Sequence, residues 1–280
     1  MAGDDQPTAL LPTAGRIPGK HAQAQIMCLV VMAYAHHPRY RLVLAANRDE
    51  FHARPSQTAH WWQDHPGLLA GRDLEAGGTW LGVNRSGRLA LVTNFREPGV
   101  RSPGKRSRGE LVSDFLTDDR PAAEFAADLS ANASDYSGFN LVVFDGRDCL
   151  YLCNRGDFQQ VLQPGIHGLS NHRLNTPWPK VEKTRDRFAD SLAPDDIDEA
   201  ELFSIIGDNR PFDDKILADT GIGGELEKLL SAPFIISPDY GTRCSTLVLW
   251  DNSGDIHFSE RSFTPAGKMD QEKSYKIRLD

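Results

Sequence analysis

Two short apolar runs separated by a polar loop, within residues 27–50, constrain the fold of this chain more than any other stretch. The runs cover residues 29–34 and 40–46 and are rich in side chains that suit a pleated surface. The loop between them contains His-His-Pro-Arg, so the pattern predicts a hairpin of two antiparallel strands. Because the first strand then starts where the second ends, Cys28 is expected beside the Asn-Arg-Asp-Glu cluster at 47–50.

The order of the other predicted elements is strands, then helices, then strands, which favours antiparallel sheets covered by helices. Glycine turns separate short apolar runs that predict a meander, and a helical period interrupted at Arg120 and Pro121 predicts two helices. Further predicted elements are a loop at 54–67, meander strands at 68–73, 79–84 and 89–94, helices within 109–130, strands at 139–145 and 149–154, a hairpin at 156–170, helices at 179–192 and 197–206, and strands at 234–237, 246–251 and 256–260.

Six blocks, taken in order, resemble the NRDE family, also called transport and Golgi organisation 2-like proteins. They are Asn-Arg-Asp-Glu at 47–50 with Met-Cys about twenty residues earlier, GGTWLGVN at 77–84, TNFRE at 93–97, GFNLVVFD at 138–145, GLSNHRLNTPWPKV at 168–181 and GTRCSTLVLW at 241–250. The resemblance implies an α+β fold, a four-layer αββα sandwich of antiparallel sheets as in the Ntn-hydrolase superfamily.

The length of 280 residues and the hydrophobic content of 40% favour one large domain. Residues 1–26 mix Pro, Gly, Gln and Asp without a hydrophobic period, which predicts a disordered extension. The alternative is that translation begins at Met27 and that these residues are not part of the mature chain. The expected domain covers residues 27–268, and residues 269–280 are expected to form a polar tail.

The formal net charge of -8 argues against broad binding to nucleic acid or to an anionic membrane. No apolar run approaches the ~18 residues of a transmembrane helix, so no integral membrane segment is expected. The cysteines lack zinc-site spacing, and no cofactor or metal is predicted. We interpret Cys28, Cys149, Cys153 and Cys244 as free thiols in a reducing compartment, and the predicted location is cytoplasmic.

Cys28 is the candidate nucleophile. If Met27 is removed, the thiol lies next to its own α-amine, which has an unperturbed pKa near ~8 and is a base within reach. A nucleophilic thiol also needs a cation nearby to lower its pKa below ~8.5. The alternative is that Cys28 is a buried apolar residue of a strand, which is the commonest role of a free cysteine.

The resemblance to the choloylglycine hydrolase and penicillin V acylase group implies a role for five residues. Cys28 matches the nucleophile, Asp49 the aspartate that holds the amine, and Asn171 a polar oxyanion-hole residue. Arg243 matches the arginine before a late core strand, and Asn94 would supply the second oxyanion contact through its backbone or side chain. The structural alternatives are an ion pair for Asp49, a turn cap for Asn171 and a solvent-facing Arg243.

This chain departs from that group at the Arg-Asn-x-Asp motif. Ala46 takes the arginine position and Arg48 follows Asn47, so the cation near the thiol is expected to be Arg48 or Arg243. The remaining candidates are expected to bind ligand: Asn47, Arg48, Glu50, Trp80 and Phe95.

Two functions of different class follow. The first is an amidase or acylase that hydrolyses a small-molecule amide through Cys28, with Asn171 and Asn94 stabilising the oxyanion. The second, implied by the family, is a non-catalytic protein that binds or transports haem or a lipid. Such an amphipathic ligand would lie among Trp61, Trp62, Trp80 and Phe95, although the sequence has no Cys-Pro haem motif.

Overall fold

The computed structural model describes residues 28–97, 104–192, 196–217 and 223–279, apart from the side chain of Asp214. The predicted disordered extension at 1–26 lies outside these residues. Within the described ranges, no helix is long and apolar enough to cross a membrane.

The described residues form two antiparallel sheets. The first sheet has six strands in the order β10 (Gly165–Leu169), β1 (Cys28–Tyr34), β2 (Tyr40–Phe51), β11 (Tyr240–Asp251), β12 (Ile256–Phe263) and β13 (Met269–Ile277). The second sheet has seven strands in the order β3 (Ser56–Trp61), β4 (Leu68–Asp73), β5 (Leu81–Asn84), β6 (Leu89–Asn94), β7 (Phe139–Phe144), β8 (Cys149–Cys153) and β9 (Gln159–Val161).

The outer faces of the sheets are covered by α1 (Arg108–Thr117), α2 (Ala122–Asn132), α3 (Pro179–Ser191) and α4 (Glu199–Ile206). A further helix, α5 (Gly224–Ser231), packs through Leu230 against Ile235 and Tyr240. The predicted interruption between the first two helices is present, because Ser107 caps α1 in a capping box with Glu110 and Pro121 precedes α2.

Three hydrophobic clusters fix the order of the layers. One cluster joins the facing sides of the two sheets and includes Leu44 and Leu91. A second packs α1 and α2 on the second sheet, and a third packs α3 and α4 on the first sheet through residues such as Phe188. The layer order is therefore helix, sheet, sheet, helix, which confirms the predicted α+β sandwich.

The predicted hairpin of the first two strands is confirmed. β1 pairs antiparallel with β2, and Cys28 lies opposite Arg48. On its other side β2 pairs with β11, where Arg48 lies opposite Cys244 and Asp49 opposite Thr242. A β-bulge at Arg243 interrupts this second ladder between those two pairs.

The hairpin predicted at 156–170 is wrong. β9 pairs with β8 in the second sheet, whereas β10 pairs with β1 in the first, so this segment crosses between the sheets. Two neighbouring expectations also differ from the structure. The loop predicted at 54–67 contains the strand β3, and the strand predicted at 234–237 is reduced to one bridge between Ile236 and Gly241.

The segment 269–280 is not a tail over most of its length. β13 pairs with β12 along its whole extent, and the side chain of Ile277 is buried in the cluster between the sheets. The prediction failed because a polar strand at the edge of a sheet is held by backbone hydrogen bonds, which leave little apolar pattern in the sequence.

Candidate functional site

The candidate site lies where β1 begins. The backbone N–H of Cys28 donates to Asn171 Oδ1 at 3.0 Å, and Ser170 Oγ donates to the Cys28 carbonyl at 2.7 Å. Asn171 Nδ2 in turn donates to the carbonyl of Asn94 at 2.9 Å, across from β10 to the end of β6. These bonds connect the two sheets at the first residue of β1, so Cys28, Asn171 and Asn94 are together as predicted.

The thiol of Cys28 is buried, with 9% of the residue exposed. Burial raises the pKa of this thiol to about 12, and the charge of Asp49 also raises it. A hydrogen bond from the Asp49 backbone N–H and the charge of Arg48 act in the opposite direction. The expected depression of the thiol pKa below ~8.5 is therefore absent in this chain, where burial outweighs the cation.

Asp49 is buried and only half satisfied. Its Oδ1 accepts a hydrogen bond from Thr242 Oγ1 at 2.6 Å, while Oδ2 has no partner among the described residues. Burial raises the pKa of Asp49 to about 7, and the bond from Thr242 and the charge of Lys180 oppose that rise. A buried carboxylate oxygen without a donor is costly, which marks Asp49 as a candidate for function.

Lys180, near the start of α3, is a site residue that the sequence interpretation missed. Only 3% of the residue is exposed, and its Nζ donates to the carbonyl of Leu230 at 3.1 Å. Burial lowers the pKa of Lys180 to about 7, against the charge of Asp49. One signal was available, because Lys180, Thr184 and Phe188 follow the four-residue spacing of a buried helix face.

Arg48 lies on the inner face of the first sheet, on the same side as the thiol across the hairpin. Its Nη2 is 3.6 Å from both Glu50 Oε2 and Asp73 Oδ2, and its guanidinium stacks on the ring of Trp80 at 4.3 Å. Of the two arginines considered from the sequence, only Arg48 is among the charges that act on the Cys28 thiol. Glu50 therefore lies at the site as a partner of Arg48.

A small cavity adjoins the thiol between the two sheets. Its volume is about 20 Å³, which is room for one water-sized group. The wall is mainly apolar, with the side chains of Cys28, Arg48 and Trp80 among the groups that line it. The cavity thus connects the candidate nucleophile with two predicted ligand-binding residues.

Arg243 has a different role from the predicted one. Its Nη1 donates to the carbonyls of Phe51, His52 and Arg54 at 3.1, 3.2 and 3.2 Å, which fixes the corner that follows β2. The β-bulge aims the side chain at this corner. The structure gives Arg243 a scaffold role and does not bring it to the thiol.

Asn47 also has a scaffold role. Its Oδ1 accepts from Ser245 Oγ at 2.6 Å, and its Nδ2 donates to the carbonyls of Ile206 and Pro233 at 2.7 and 2.9 Å. Both amide hydrogens are used on the helix-covered face of the sheet, so the predicted ligand-binding role lacks a donor. Successive residues of a strand face opposite sides, which separates Asn47 from Arg48.

An aromatic group follows Asn171 in the chain, centred on His172. The ring of His172 lies 5.0 Å from that of Phe95 and 5.8 Å from that of Trp178. Arg96 stacks on Trp178 at 4.9 Å. This group combines apolar rings with a cation beside the candidate site.

Of the tryptophans expected to line a pocket, Trp62 packs in the core of the second sheet instead.

The fold and the site together define a class of protein: an antiparallel αββα sandwich with a buried thiol at the first residue of a central strand and a buried carboxyl, that of Asp49, whose charge acts on this thiol. The family model described as Transport and Golgi organisation 2 matches residues 27–265, and the chain belongs to this family. This match confirms the resemblance inferred from the six sequence blocks.

Relatives in animals match over most of their length. The chain is 37% identical to the Transport and Golgi organization protein 2 homolog of Bos taurus over 261 residues, 84% of this chain and 93% of that protein. It is 36% identical to the Homo sapiens homolog over 271 residues, 89% and 96% of the two chains. The Drosophila melanogaster Transport and Golgi organization protein 2 is 28% identical over 265 residues, 85% and 93% of the two chains.

Two solved structures are similar at a lower level. The Caenorhabditis elegans ortholog of N-acylethanolamine-hydrolyzing acid amidase aligns with a TM-score of 0.39 and 11% identity, over 79% of this chain and 92% of its own. A mutant of the conjugated bile acid hydrolase of Clostridium perfringens aligns with a TM-score of 0.39 and 9% identity, over 91% and 90% of the two chains.

Proposed function

We propose that this protein is an amidohydrolase in which the thiol of Cys28 is the nucleophile and the α-amine of Cys28, freed by removal of the preceding residues, is the base. One observation carries the proposal. The nitrogen of Cys28 already donates to Asn171 Oδ1, while Asp49 Oδ2 is buried without a partner in the described part of the chain. An amine brings additional N–H groups to this position, and Asp49 is the acceptor available for one of them.

The register of the hairpin supports this role for Asp49. The two strands are antiparallel and Cys28 lies opposite Arg48, so the nitrogen of Cys28 is on the side of this pair where β2 continues to Asp49. A carboxylate that accepts a hydrogen bond from the amine fixes its orientation toward the thiol. Asp49 would act as the positioning residue of the base.

The reaction balances in two stages. The amine takes the thiol proton, the sulfur attacks the amide carbon, and the amine returns that proton to the departing nitrogen as the C–N bond breaks. A water molecule then hydrolyses the thioester and restores the thiol. The negative oxygen that forms in each stage requires N–H donors, for which the side-chain amides of Asn171 and Asn94 are the candidates. The backbone carbonyl of Asn94 cannot stabilise that oxygen, since a carbonyl only accepts hydrogen bonds, as it does from Asn171 Nδ2.

The raised thiol pKa belongs to a chain in which the nitrogen of Cys28 is a peptide amide. A protonated amine beside the sulfur adds a positive charge that favours the thiolate. The proposal therefore requires that removing the preceding residues lowers the pKa of Cys28 from about 12 toward neutrality.

The four cysteines are free, which supports the proposed reducing, cytoplasmic location.

A second candidate function is binding of an amphipathic ligand, such as haem or a lipid, without chemistry. The observation that favours it is the burial and raised pKa of the thiol, which are the properties of an inert cysteine. The rings of Phe95, His172 and Trp178 would supply apolar contacts for such a ligand.

The test begins with the full chain carrying a specific protease site directly before Cys28, so that folding precedes cleavage. After cleavage, we expect iodoacetamide to label Cys28 at neutral pH faster than Cys149, which is buried and also has a raised pKa. Fatty acyl 4-nitroanilides are the amide probes. We expect turnover only after cleavage and loss of turnover in Cys28→Ala.

Intact-mass measurement on protein from its own host shows whether Cys28 is the first residue. A mature chain that retains Met27 contradicts the amine mechanism. Unchanged labelling of Cys28 after cleavage, together with haem or lipid binding that survives Cys28→Ala, rejects the hydrolase in favour of the binding protein.

A further inference from the structure

Arginine stacks on tryptophan at several places in this protein, and the hydrogen bonds of the stacked partners differ. In the Arg72–Trp62 stack, Arg72 binds Asp64 through two bonds, and Trp62 Nε1 donates to the carbonyl of Ala70. In the stack at the candidate site, neither Arg48 Nη1 nor Trp80 Nε1 has a partner in the described part of the chain. Both atoms are buried donors.

The second stack, Arg48 on Trp80, lies at a cavity where its two donors could bind a ligand. The side chain of Arg48 is only 6% exposed, and Arg48 and Trp80 line the cavity of about 20 Å³ that also contacts Cys28. Nη2 of Arg48 is close to two carboxylates, so the guanidinium is anchored while Nη1 remains without an acceptor. A buried N–H without an acceptor costs free energy, and a ligand oxygen that accepts from it recovers that cost.

Burial alone does not explain the stack. Trp250 Nε1 is also buried without a partner, and Trp250 packs within the hydrophobic cluster between the sheets. Trp80 differs because it lines a cavity together with a guanidinium donor and a thiol. An indole N–H and a guanidinium N–H are pure donors, so their common ligand is an acceptor oxygen that carries a full or partial negative charge.

We infer that Arg48 Nη1 and Trp80 Nε1 bind the carbonyl or carboxylate oxygen of an acyl group in the cavity beside Cys28. The assignment of the acyl group as the carboxylate product, whose second oxygen is free of Asn171 and Asn94, rests on the proposed hydrolase, whereas the oxygen site itself does not. The size of the cavity admits a single oxygen-sized group, so the rest of the ligand lies outside it.

The side-chain N–H resonance of tryptophan measures this contact directly in the full-length protein. The chain has five tryptophans, and the resonance that disappears in Trp80→Phe belongs to Trp80. Sodium acetate and acetamide are the probes for the carboxylate and carbonyl forms. We expect acetate, acetamide or both to shift the Trp80 resonance in a saturable way and to leave the Trp250 resonance unchanged.

Arg48→Met should weaken the binding of the probe by about tenfold or more, because a charged donor is removed. The matched control is Arg85→Met, since Arg85 is exposed and stacks on the half-buried Trp61 at 4.0 Å. A response to acetate alone identifies a carboxylate site, and a response to acetamide as well identifies a carbonyl site.

A Trp80 resonance that neither probe shifts overturns the inference, and so does a response that Arg48→Met leaves unchanged. The wild-type titration needs only the assignments of the Trp80 and Trp250 peaks, which through-space contacts of each indole also provide, so a variant that fails to fold does not remove the test. A saturable shift combined with an absence of amide turnover after cleavage retains the oxygen site and rejects the hydrolase.

Discussion

The carboxyl of Asp49 and the ammonium of Lys180 are both buried and interact through their charges, and burial moves the pKa of each group to about 7. Asp49 faces the helix-covered side of the first sheet, as Asn47 does two residues earlier. Burial penalises the charged form of both groups. The two groups therefore have similar affinities for a proton, and one proton is shared between them. This relationship has consequences for stability that do not depend on the function of the protein.

The first prediction concerns the acid side of the stability profile. The folded pKa of Asp49, about 7, is above its ordinary value of 3.8, so the folded chain holds a proton that the unfolded chain releases. This contribution is fully present below the ordinary pKa and is lost as the pH rises through about 7. Between pH 5 and pH 7 the free energy of unfolding of the wild type, measured with urea, should fall by an amount on the order of 1–4 kcal/mol because of Asp49. Asp49→Asn should abolish this decrease. Parallel profiles for wild type and variant would contradict it.

The second prediction concerns the alkaline side and Lys180. Its folded pKa of about 7 is below the ordinary value of 10.5, so its contribution is present above the ordinary value and is lost as the pH falls through about 7. Lys180→Met should therefore flatten the rise in stability between pH 7 and pH 9. Lys183→Met is the control, because Lys183 is exposed on the same helix and contacts the ring of Phe212. An equal effect of the two variants would show that burial of Lys180 is not the cause.

The third prediction separates Arg243 from Arg48. Arg243→Met removes three bonds to backbone carbonyls and should destabilise the protein by about 1–3 kcal/mol, measured by urea unfolding. It should leave the pH profile of Cys28 alkylation in place. Arg48→Met should move that profile to higher pH, because the charge of Arg48 lowers the thiol pKa. A shift caused by Arg243→Met would restore the role predicted from the sequence.

The fourth prediction concerns Asn47. Asn47→Ala leaves the carbonyls of Ile206 and Pro233 without a donor, and we expect a loss of about 2–4 kcal/mol in the free energy of unfolding. Asn252→Ala is the matched control, because Asn252 donates to the exposed carbonyl of Pro38 and should cost less than about 1 kcal/mol. Similar costs for the two variants would refute the scaffold role of Asn47.

The part of the fold that local pattern determines could be predicted. The hairpin of β1 and β2 was predictable because both strands and their loop lie within one short stretch, and strand geometry then places Cys28 opposite the residues near Asp49. The sheet to which each strand of the segment 156–170 belongs was not predictable, because a hairpin and a crossing between sheets have the same turn residues. In the structure β9 pairs with β8 in the second sheet and β10 pairs with β1 in the first.

The site was predicted where it depends on strand position and missed where it depends on packing between distant elements. The charges of Lys180 and Asp49 interact only because α3 packs on the first sheet, and no spacing in the sequence indicates that packing. The role of Arg243 depends on a β-bulge, which shifts the alternation of β11 by one residue. The orientation of Asn47 away from Arg48 follows from strand alternation alone.

The position of β13 at the end of the first sheet has a consequence for how the chain tolerates truncation. Without β13, the backbone groups of β12 would become an open edge next to the buried side chains of Ile256 and Phe258. Such an edge is a template on which other copies of the chain can add strands. β13 replaces it with an edge that carries Asp270, Glu272, Lys273 and Lys276, where charge opposes further strand addition. We therefore expect β13 to oppose aggregation, and we expect a chain that ends before Met269 to aggregate even with every site residue present.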